Sequence, residues 1–244
     1  LLSHPIAPPY YCSPYCPTLL PQPPLSSSSP ICPQFSAYLP TSPVQVAGDS
    51  PTIVLELPFV SQRISAGRAP PPRATVRAIE AAMRRHGIAT ATFVGHSLGS
   101  VYLSWVAKLR PDLASSFVFI DPIVFLLHHV KVAHSFLYET PRGATAIVEN
   151  YFVKSEQRIV SYFHREFFWY KNLLLADQLR GIPTAVVLSQ EDSIVPVPAV
   201  SDYLTRYASA SLSHSVLAGA RHGDFLANTA LSDQVVRVVR DSPS

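Results

Sequence analysis

From residue 52 onward, the hydrophobic residues fall into two kinds of pattern. Continuous apolar runs of strand length occupy residues 52–57, 90–94, 116–120, 183–189 and 215–220. Between most of these runs, apolar residues recur with helical spacing, over residues 73–86, 98–109, 200–207 and 226–239. Strands that alternate with helices in this way predict an α/β fold with a mostly parallel, doubly wound sheet.

Residues 123–178 break that alternation. They contain a dense set of aromatic residues, and charged residues are interleaved among them at helical spacing. We therefore predict a helical cap inserted into a core formed by residues 51–122 and 179–244. Most of these aromatic side chains are expected to join the cap to the sheet, and the pocket beneath the cap is expected to be apolar. The residues that we predict to contact substrate are Phe59, His96, Phe168 and Trp169.

The first fifty residues differ in composition from the rest of the chain. They hold 12 of the 24 prolines, all three cysteines and a single charged residue, Asp49. Such a segment cannot bury enough apolar surface to fold alone, so we predict that residues 1–50 are largely disordered or misassigned. The pattern of a signal peptide is absent from them, and the three cysteines lack histidine partners at zinc spacing.

Composition excludes several classes of function. The net charge of +3 is small and scattered, which argues against a nucleic-acid-binding protein. No apolar stretch approaches 18 residues, so no transmembrane helix is predicted. We expect a small apolar molecule as substrate and neither a metal nor an organic cofactor. The sequence leaves the oligomeric state and the cellular compartment open.

A short motif supplies the candidate chemistry. Residues 95–99 read Gly-His-Ser-Leu-Gly and lie between the predicted strand at 90–94 and the predicted helix at 98–109. The G-x-S-x-G pattern at a strand-to-helix turn raises a serine hydroxyl above a parallel sheet. We expect both glycines to be required, because the turn is sharp and neighbouring backbone is close. Ser97 is thus the candidate nucleophile.

An acid and a base follow later strands, in the order Ser97, Asp192, His222. This order is the one found in the fold that uses the G-x-S-x-G turn, and it differs from the orders of chymotrypsin and subtilisin. His222 would accept the Ser97 proton, and Asp192 would orient His222. Two other acids stay open as alternatives, Asp121 and Glu191. Asp224 is expected to cap the final helix, and His214 is expected to precede the last strand.

With these motifs the chain resembles the α/β-hydrolase superfamily, from about residue 52 to residue 241. Within it, several segments are similar to a poorly characterised group of fungal and algal α/β-hydrolases, and these are residues 54–61, 95–101, 119–122 and 167–170. The resemblance implies the α/β-hydrolase fold and a Ser97–Asp192–His222 triad. It implies no particular substrate.

The resemblance also implies an oxyanion hole with two donors. The Leu98 amide would be one donor, and the second normally comes from a loop, marked by His-Gly, after an earlier strand. That motif is absent upstream of residue 52, so the fold is expected to be incomplete at its N-terminus. The sequence therefore favours a serine hydrolase of esterase or lipase type. A non-catalytic hydrolase-fold protein, or a truncated fragment without the oxyanion loop, stays open as the alternative.

Overall fold

A computed structural model describes residues 10–12, 52–57, 59–60, 68–138, 140 and 155–243. In this part of the chain the strands form two parallel sheets of unequal size. Strands β1 (Tyr10–Cys12) and β2 (Ile53–Leu55) pair with each other in parallel. Four further parallel strands lie side by side in chain order, and they are β3 (Ala91–His96), β4 (Ala114–Ile120), β5 (Thr184–Ser189) and β6 (Leu212–Leu217). All four carboxyl ends therefore lie at one edge of this sheet.

Strand β4 lies at the centre of the core. Its residues from Phe117 to Ile120 are buried on both faces, as expected for an inner parallel strand with a continuous apolar sequence. β4 pairs with β3 on one side and with β5 on the other. The carboxyl end of β4 consequently lies between the two strand ends from which Ser97 and Asp192 follow.

Helices connect these strands and cover the sheet. Their bounds are α1 (Pro72–Arg85), α2 (Gly99–Leu109), α3 (Val130–Leu137), α4 (Gln157–Arg165), α5 (Trp169–Asn172), α6 (Val197–Tyr207) and α7 (Thr229–Arg240). The apolar face predicted for α1 is buried as expected, through Val76, Ile79, Ala82 and Met83. α2 is buried along most of its length because it packs against β3 and β4 as well as α1.

The described residues between β4 and β5 are helical or irregular, with α3, α4 and α5 as the helices. Aromatic pairs join them, as in Phe136 with Phe163 at 4.5 Å between ring centroids. α5 is fixed to α2 by a buried hydrogen bond from Trp105 Nε1 to Asn172 Oδ1, at 2.9 Å. The boundaries predicted for a cap domain, 123–178, stay a prediction.

Two local predictions are wrong. The last strand begins at Leu212 and ends at Leu217, so His214 lies inside it and bonds to Ser201 Oγ at 2.9 Å. Asp224 does not cap the final helix, because its carboxylate accepts from the Arg221 amide. Asn228 caps α7 instead, through Ala230 N and Leu231 N. Asp and Asn are both favoured N-cap residues, so the sequence alone does not distinguish Asp224 from Asn228. The path of the loop decides which of them caps the helix.

Of the first fifty residues, which were predicted to be largely disordered or misassigned, the structure describes residues 10–12. Residues 10–12, within the segment expected to lack packed structure, form β1 beside β2. The other residues from 1 to 51 lie outside the described part of the chain, and so does any loop that follows β1. Among the described residues, no helix has the length and apolar character needed to cross a membrane.

Candidate active site

Ser97 lies in a strained turn at the end of β3. Its φ is 49°, in the left-handed region that non-glycine residues rarely adopt. The Ser97 amide donates to the Ile120 carbonyl at 3.0 Å, which ties the turn to the end of β4. Helix α2 begins two residues later, at Gly99. This strand-to-helix turn is the one that the motif predicts, and it presents the Ser97 hydroxyl beyond the sheet edge.

Only one of the two motif glycines is required by close packing. A Cβ on Gly95 would lie 2.8 Å from the Gly99 carbonyl carbon and 2.8 Å from Leu103 Cδ1. A Cβ on Gly99 would meet nothing within 4 Å. The expectation that both glycines are needed is therefore wrong for Gly99. The first turn of α2 crosses directly over Gly95, and this crossing creates the asymmetry.

We expect Gly95→Ala to destabilise the protein by about 1–3 kcal/mol, the usual cost of overpacking a close contact. The Leu103 methyl group can move away, but the Gly99 backbone cannot move without displacing the turn. Gly99→Ala is the matched control and should cause no loss of stability. Urea denaturation of both variants measures the effect, and equal stabilities would contradict the close approach at Gly95.

His222 connects the serine to an acid. Its Nε2 lies 2.9 Å from Ser97 Oγ, and its Nδ1 lies 2.6 Å from Asp192 Oδ2. These three residues come from loops after three different strands, and Ser97 and His222 are 125 positions apart in sequence. The structure thus brings together all three residues of the predicted triad. The arrangement allows one proton to move between Ser97 and His222 while Asp192 fixes the imidazole tautomer.

Asp192 is held rigidly for this contact. Its side chain is buried, and Oδ1 accepts from the amides of Ile194 and Val195, at 2.7 and 2.8 Å. The other oxygen is thereby directed to His222. Lys131 from α3 donates to the Asp192 backbone carbonyl at 3.2 Å. A carboxylate with one oxygen bound to two backbone amides is fixed in orientation, as the acid of such a triad must be.

The two alternative acids occupy other positions. Glu191 is exposed. Asp121 is buried, but its Oδ1 accepts from Ser189 N at 2.8 Å, and its Oδ2 accepts from Ser189 Oγ and Gly223 N at 3.0 and 2.9 Å. Burial raises the pKa of Asp121, while the Gly223 amide and the charge on His222 oppose that shift. Asp121 therefore supports the residue after His222 and does not bond to the His222 ring.

His96 packs beside the site. Its ring centroid lies 5.2 Å from that of His222 and 5.1 Å from that of Phe225. Its Nε2 is buried and has no hydrogen-bond partner among the described residues, although it lies 3.8 Å from Asp121 Oδ2. Burial lowers the pKa of His96 to about 3, and the charge on His222 acts in the same direction. His96 is thus neutral at ordinary pH, and its role in substrate binding stays a prediction.

The neutral state of His96 gives stability a pH dependence. A histidine in the unfolded chain has a pKa near 6.5, so below about that pH the unfolded chain takes up a proton that the native chain refuses. The free energy of unfolding should therefore fall as pH drops from 6.5 towards 3, by at most about 1.4 kcal/mol per pH unit from this group. Urea denaturation at pH 7 and pH 5 should show a smaller loss for His96→Gln than for the wild type. Equal losses would contradict a neutral His96 in the folded protein.

The first expected oxyanion donor is available. Within the described part of the chain, the Leu98 amide has no hydrogen-bond acceptor. It lies at the N-terminus of α2, where unpaired amides and the helix dipole favour a negative charge. An oxygen bound there would accept from Leu98 without displacing an existing bond. Of the loops that follow the earlier strands, the one after β1 lies outside the described residues.

The three aromatic candidates have different surroundings. Phe59 is 4% exposed and packs on Tyr162 of α4, at 4.8 Å between ring centroids. Phe168 and Trp169 are 44% and 50% exposed. α5 is bound to Trp105 of α2. Trp105 lies six residues beyond Gly99, the first residue of α2, which is about 9 Å along the helix axis and away from Ser97. These contacts do not bring Phe168 or Trp169 to the triad, and substrate contact by all three residues stays a prediction.

Three side chains of the site also have the donor types of a metal ligand set. The ligand atoms of Asp121, Asp192 and His222 lie within 4.8 Å of one another. However, both carboxylates already accept backbone amides, and His222 Nδ1 is bonded to Asp192. A cation would have to displace these bonds. The arrangement therefore suits proton transfer better than metal binding.

Sequence reasoning missed Ser189 and Gly223 as parts of this network. Ser189 ends β5, and Gly223 has a φ of 76° directly after His222. The sequence indicated only that Asp121 follows a predicted buried strand, and Asp121 was therefore interpreted as an alternative acid of the triad. Its bonding partners lie 68 and 102 positions away, so no local pattern could identify them.

Comparison with known proteins identifies the fold. No protein-family model and no curated protein sequence matches this chain. Solved structures of hydrolases do match. A 2-hydroxy-6-oxo-6-phenylhexa-2,4-dienoate hydrolase from a Rhodococcus strain is 18% identical, with a TM-score of 0.58 over 81% of this chain and 82% of its own.

Two Bacillus structures are similar to the same extent. The naproxen esterase of Bacillus subtilis is 13% identical, with a TM-score of 0.54 over 81% of this chain and 76% of its own. An α/β-fold family hydrolase from Bacillus anthracis is 13% identical, with a TM-score of 0.55 over 80% of this chain and 84% of its own. The chain has the α/β-hydrolase fold, and the fold predicted from the sequence is confirmed.

Proposed function

We propose that this protein is a serine hydrolase that cleaves an ester or a related acyl bond of an apolar small molecule. The observation that carries the proposal is the continuous hydrogen-bonded chain from Ser97 Oγ through His222 to Asp192, at 2.9 and 2.6 Å. A serine is a weak nucleophile unless a base lies within hydrogen-bond reach and an acid orients that base. Neighbouring structures that are named as hydrolases and an esterase support the same class of reaction.

The first half-reaction forms an acyl-enzyme. Ser97 Oγ attacks the carbonyl carbon as its proton passes to His222 Nε2, and the Leu98 amide donates to the oxyanion that develops. Asp192 stabilises the imidazolium ion of His222. The tetrahedral intermediate then collapses, the bond to the leaving alcohol breaks, and His222 returns the proton to that alcohol.

The second half-reaction releases the acid. Water attacks the acyl carbon, His222 takes a proton from it, and a second tetrahedral intermediate forms at the same oxyanion site. Its collapse breaks the bond to Ser97 Oγ, and His222 protonates that oxygen. No step needs a redox partner or a second substrate other than water.

A fluorophosphonate probe tests this proposal directly. Ser97 Oγ would bond to the phosphorus, fluoride would leave, and the proton would pass to His222. We expect mass spectrometry to map the label to Ser97, and Ser97→Ala to abolish it. Ser104→Ala is the matched control, because this buried serine of α2 donates to the Val101 carbonyl of its own helix, and its removal should leave labelling unchanged.

Circular dichroism must first show that the unlabelled protein is folded. A folded protein that is not labelled, and that hydrolyses no p-nitrophenyl ester of short or medium chain length, would support the non-catalytic alternative. Labelling at a serine other than Ser97 would show that Ser97 is not the nucleophile.

A further inference from the structure

The end of β4 contacts all three loops that carry the candidate triad. The Ile120 carbonyl accepts the amide of Ser97 at 3.0 Å. The next residue, Asp121, accepts from both the amide and the hydroxyl of Ser189 and from the amide of Gly223. Two consecutive residues at the centre of the sheet therefore bind the serine turn, the end of β5 and the histidine loop.

The groups bound by Asp121 are the ones that set the position of the acid and the base. Ser189 begins the turn of the acid, since the Asp192 amide donates to the Ser189 carbonyl at 3.1 Å. Gly223 directly follows His222. We propose that Asp121 is a positioning residue for the serine-hydrolase reaction, whose buried carboxylate holds the loops of Asp192 and His222 at the separation that proton transfer requires. This inference rests on the proposed function.

Asp121 is a costly residue to place at this position. Its side chain is fully buried, and its φ is 43°, so a desolvated carboxylate and a strained backbone occur in one residue. Each of these features destabilises the folded state, and such strain is concentrated at functional sites. Burial raises its pKa, against the Gly223 amide, the charge on His222 and the Ser189 hydroxyl, which lower it. Three hydrogen bonds, two from Ser189 at the end of β5 and one from Gly223 in the loop after β6, offset part of that cost.

The surroundings of Asp121 give the proposal an electrostatic consequence. Facing it are His96 from the end of β3, at 3.8 Å, and Asp192 and His222 from the loops after β5 and β6. Lys131 from α3 reaches the Asp192 carbonyl. A negative charge near His222 favours the imidazolium form, so removal of that charge disfavours protonation. The acidic limb of the pH–rate profile should then move to lower pH.

Asp121→Asn tests the proposal because it keeps the shape and removes the charge. An asparagine has one acceptor oxygen, whereas three donors point at the carboxylate, so its NH₂ group must face a donor. We expect kcat for a p-nitrophenyl ester to fall by about 100-fold, the cost of a small misplacement of reacting groups. KM should change little, since the side chain is buried away from substrate.

Ser189→Ala and Asp112→Asn complete the design. Ser189→Ala removes one bond to the same carboxylate, and kcat should fall by about tenfold, as for one hydrogen bond to a charged group. Asp112 bonds to Arg110 at the surface, so Asp112→Asn should leave kcat and the pH profile as in the wild type. If Asp121→Asn fails to fold, Ser189→Ala carries the test, and an unchanged kcat in that variant would overturn the proposal.

A purely structural role predicts a different result. It would lower the stability of Asp121→Asn while the acidic limb of its pH profile stayed in place, and that outcome would overturn the proposal. The titration of the His222 ring resonances by NMR does not depend on turnover. A wild type that is neither labelled nor active would refute the proposed function, and an NMR midpoint that stayed in place in Asp121→Asn would separately refute the role of Asp121.

Discussion

His222→Ala is expected to lower kcat for ester hydrolysis by about 10⁶-fold, the loss typical of removing the base of such a triad. His222 Nε2 is the group placed 2.9 Å from Ser97 Oγ, and His222→Ala removes this acceptor of the hydroxyl proton. KM should change little, because the loss affects the chemical step. Steady-state kinetics with a p-nitrophenyl ester, at enzyme concentrations high enough to detect residual turnover, measure the effect.

A double variant sharpens this prediction. Residues that act as one unit are strongly non-additive, so Ser97→Ala/His222→Ala should be no slower than Ser97→Ala alone. His214→Gln is the control histidine, since His214 lies within β6 and bonds to Ser201. We expect its kcat to equal that of the wild type. Additive losses in the double variant would show that Ser97 and His222 act independently.

Asp192→Asn is expected to lower kcat by about 10⁴-fold, the cost of the wrong imidazole tautomer. The asparagine oxygen can still accept from Ile194 and Val195, so its NH₂ group would face His222 Nδ1. Nδ1 would then have to accept a hydrogen bond, which leaves the proton on Nε2. In that tautomer His222 cannot accept the proton of Ser97.

The kcat values of Asp192→Asn and Asp121→Asn distinguish the roles of the two carboxylates. Asp192→Asn should be about 100 times slower than Asp121→Asn, because the first changes the tautomer and the second only moves the loops. Both variants should unfold cooperatively in urea, which shows that the kinetic loss is not a loss of fold. If Asp192→Asn kept the wild-type rate while Asp121→Asn abolished it, Asp121 would be the acid of the triad.

Much of the fold was predictable from local sequence. The core strands and helices follow from apolar runs and helical spacing, and most boundaries agree within a few residues. The last strand begins three residues before its predicted start, because Leu212, Ser213 and His214 carry little apolar signal and are recruited by pairing with β5. Pairing with a neighbouring strand supplies backbone hydrogen bonds that the sequence of the strand itself does not reveal.

The candidate nucleophile was predictable for a similar reason. The strand, the glycine at position 95 and Ser97 lie within a few residues, so the turn is encoded locally. The asymmetry of the two glycines was not, because it depends on where α2 crosses β3. The cap of α7 was also missed, since Asp224 and Asn228 are both good capping residues and only the path of the loop selects Asn228.

The sequence by itself determined the class of fold, the order Ser97, Asp192, His222 and the strand ends after which these residues come. Only the tertiary structure decided which carboxylate meets the His222 ring and which meets the backbone beside it. The physical reason is that parallel strands bring together loops that lie far apart in the chain. A carboxylate at the carboxyl edge of the sheet accepts from the donors that these loops and strand ends place beside it. For Asp121 the donors are Ser189 and Gly223.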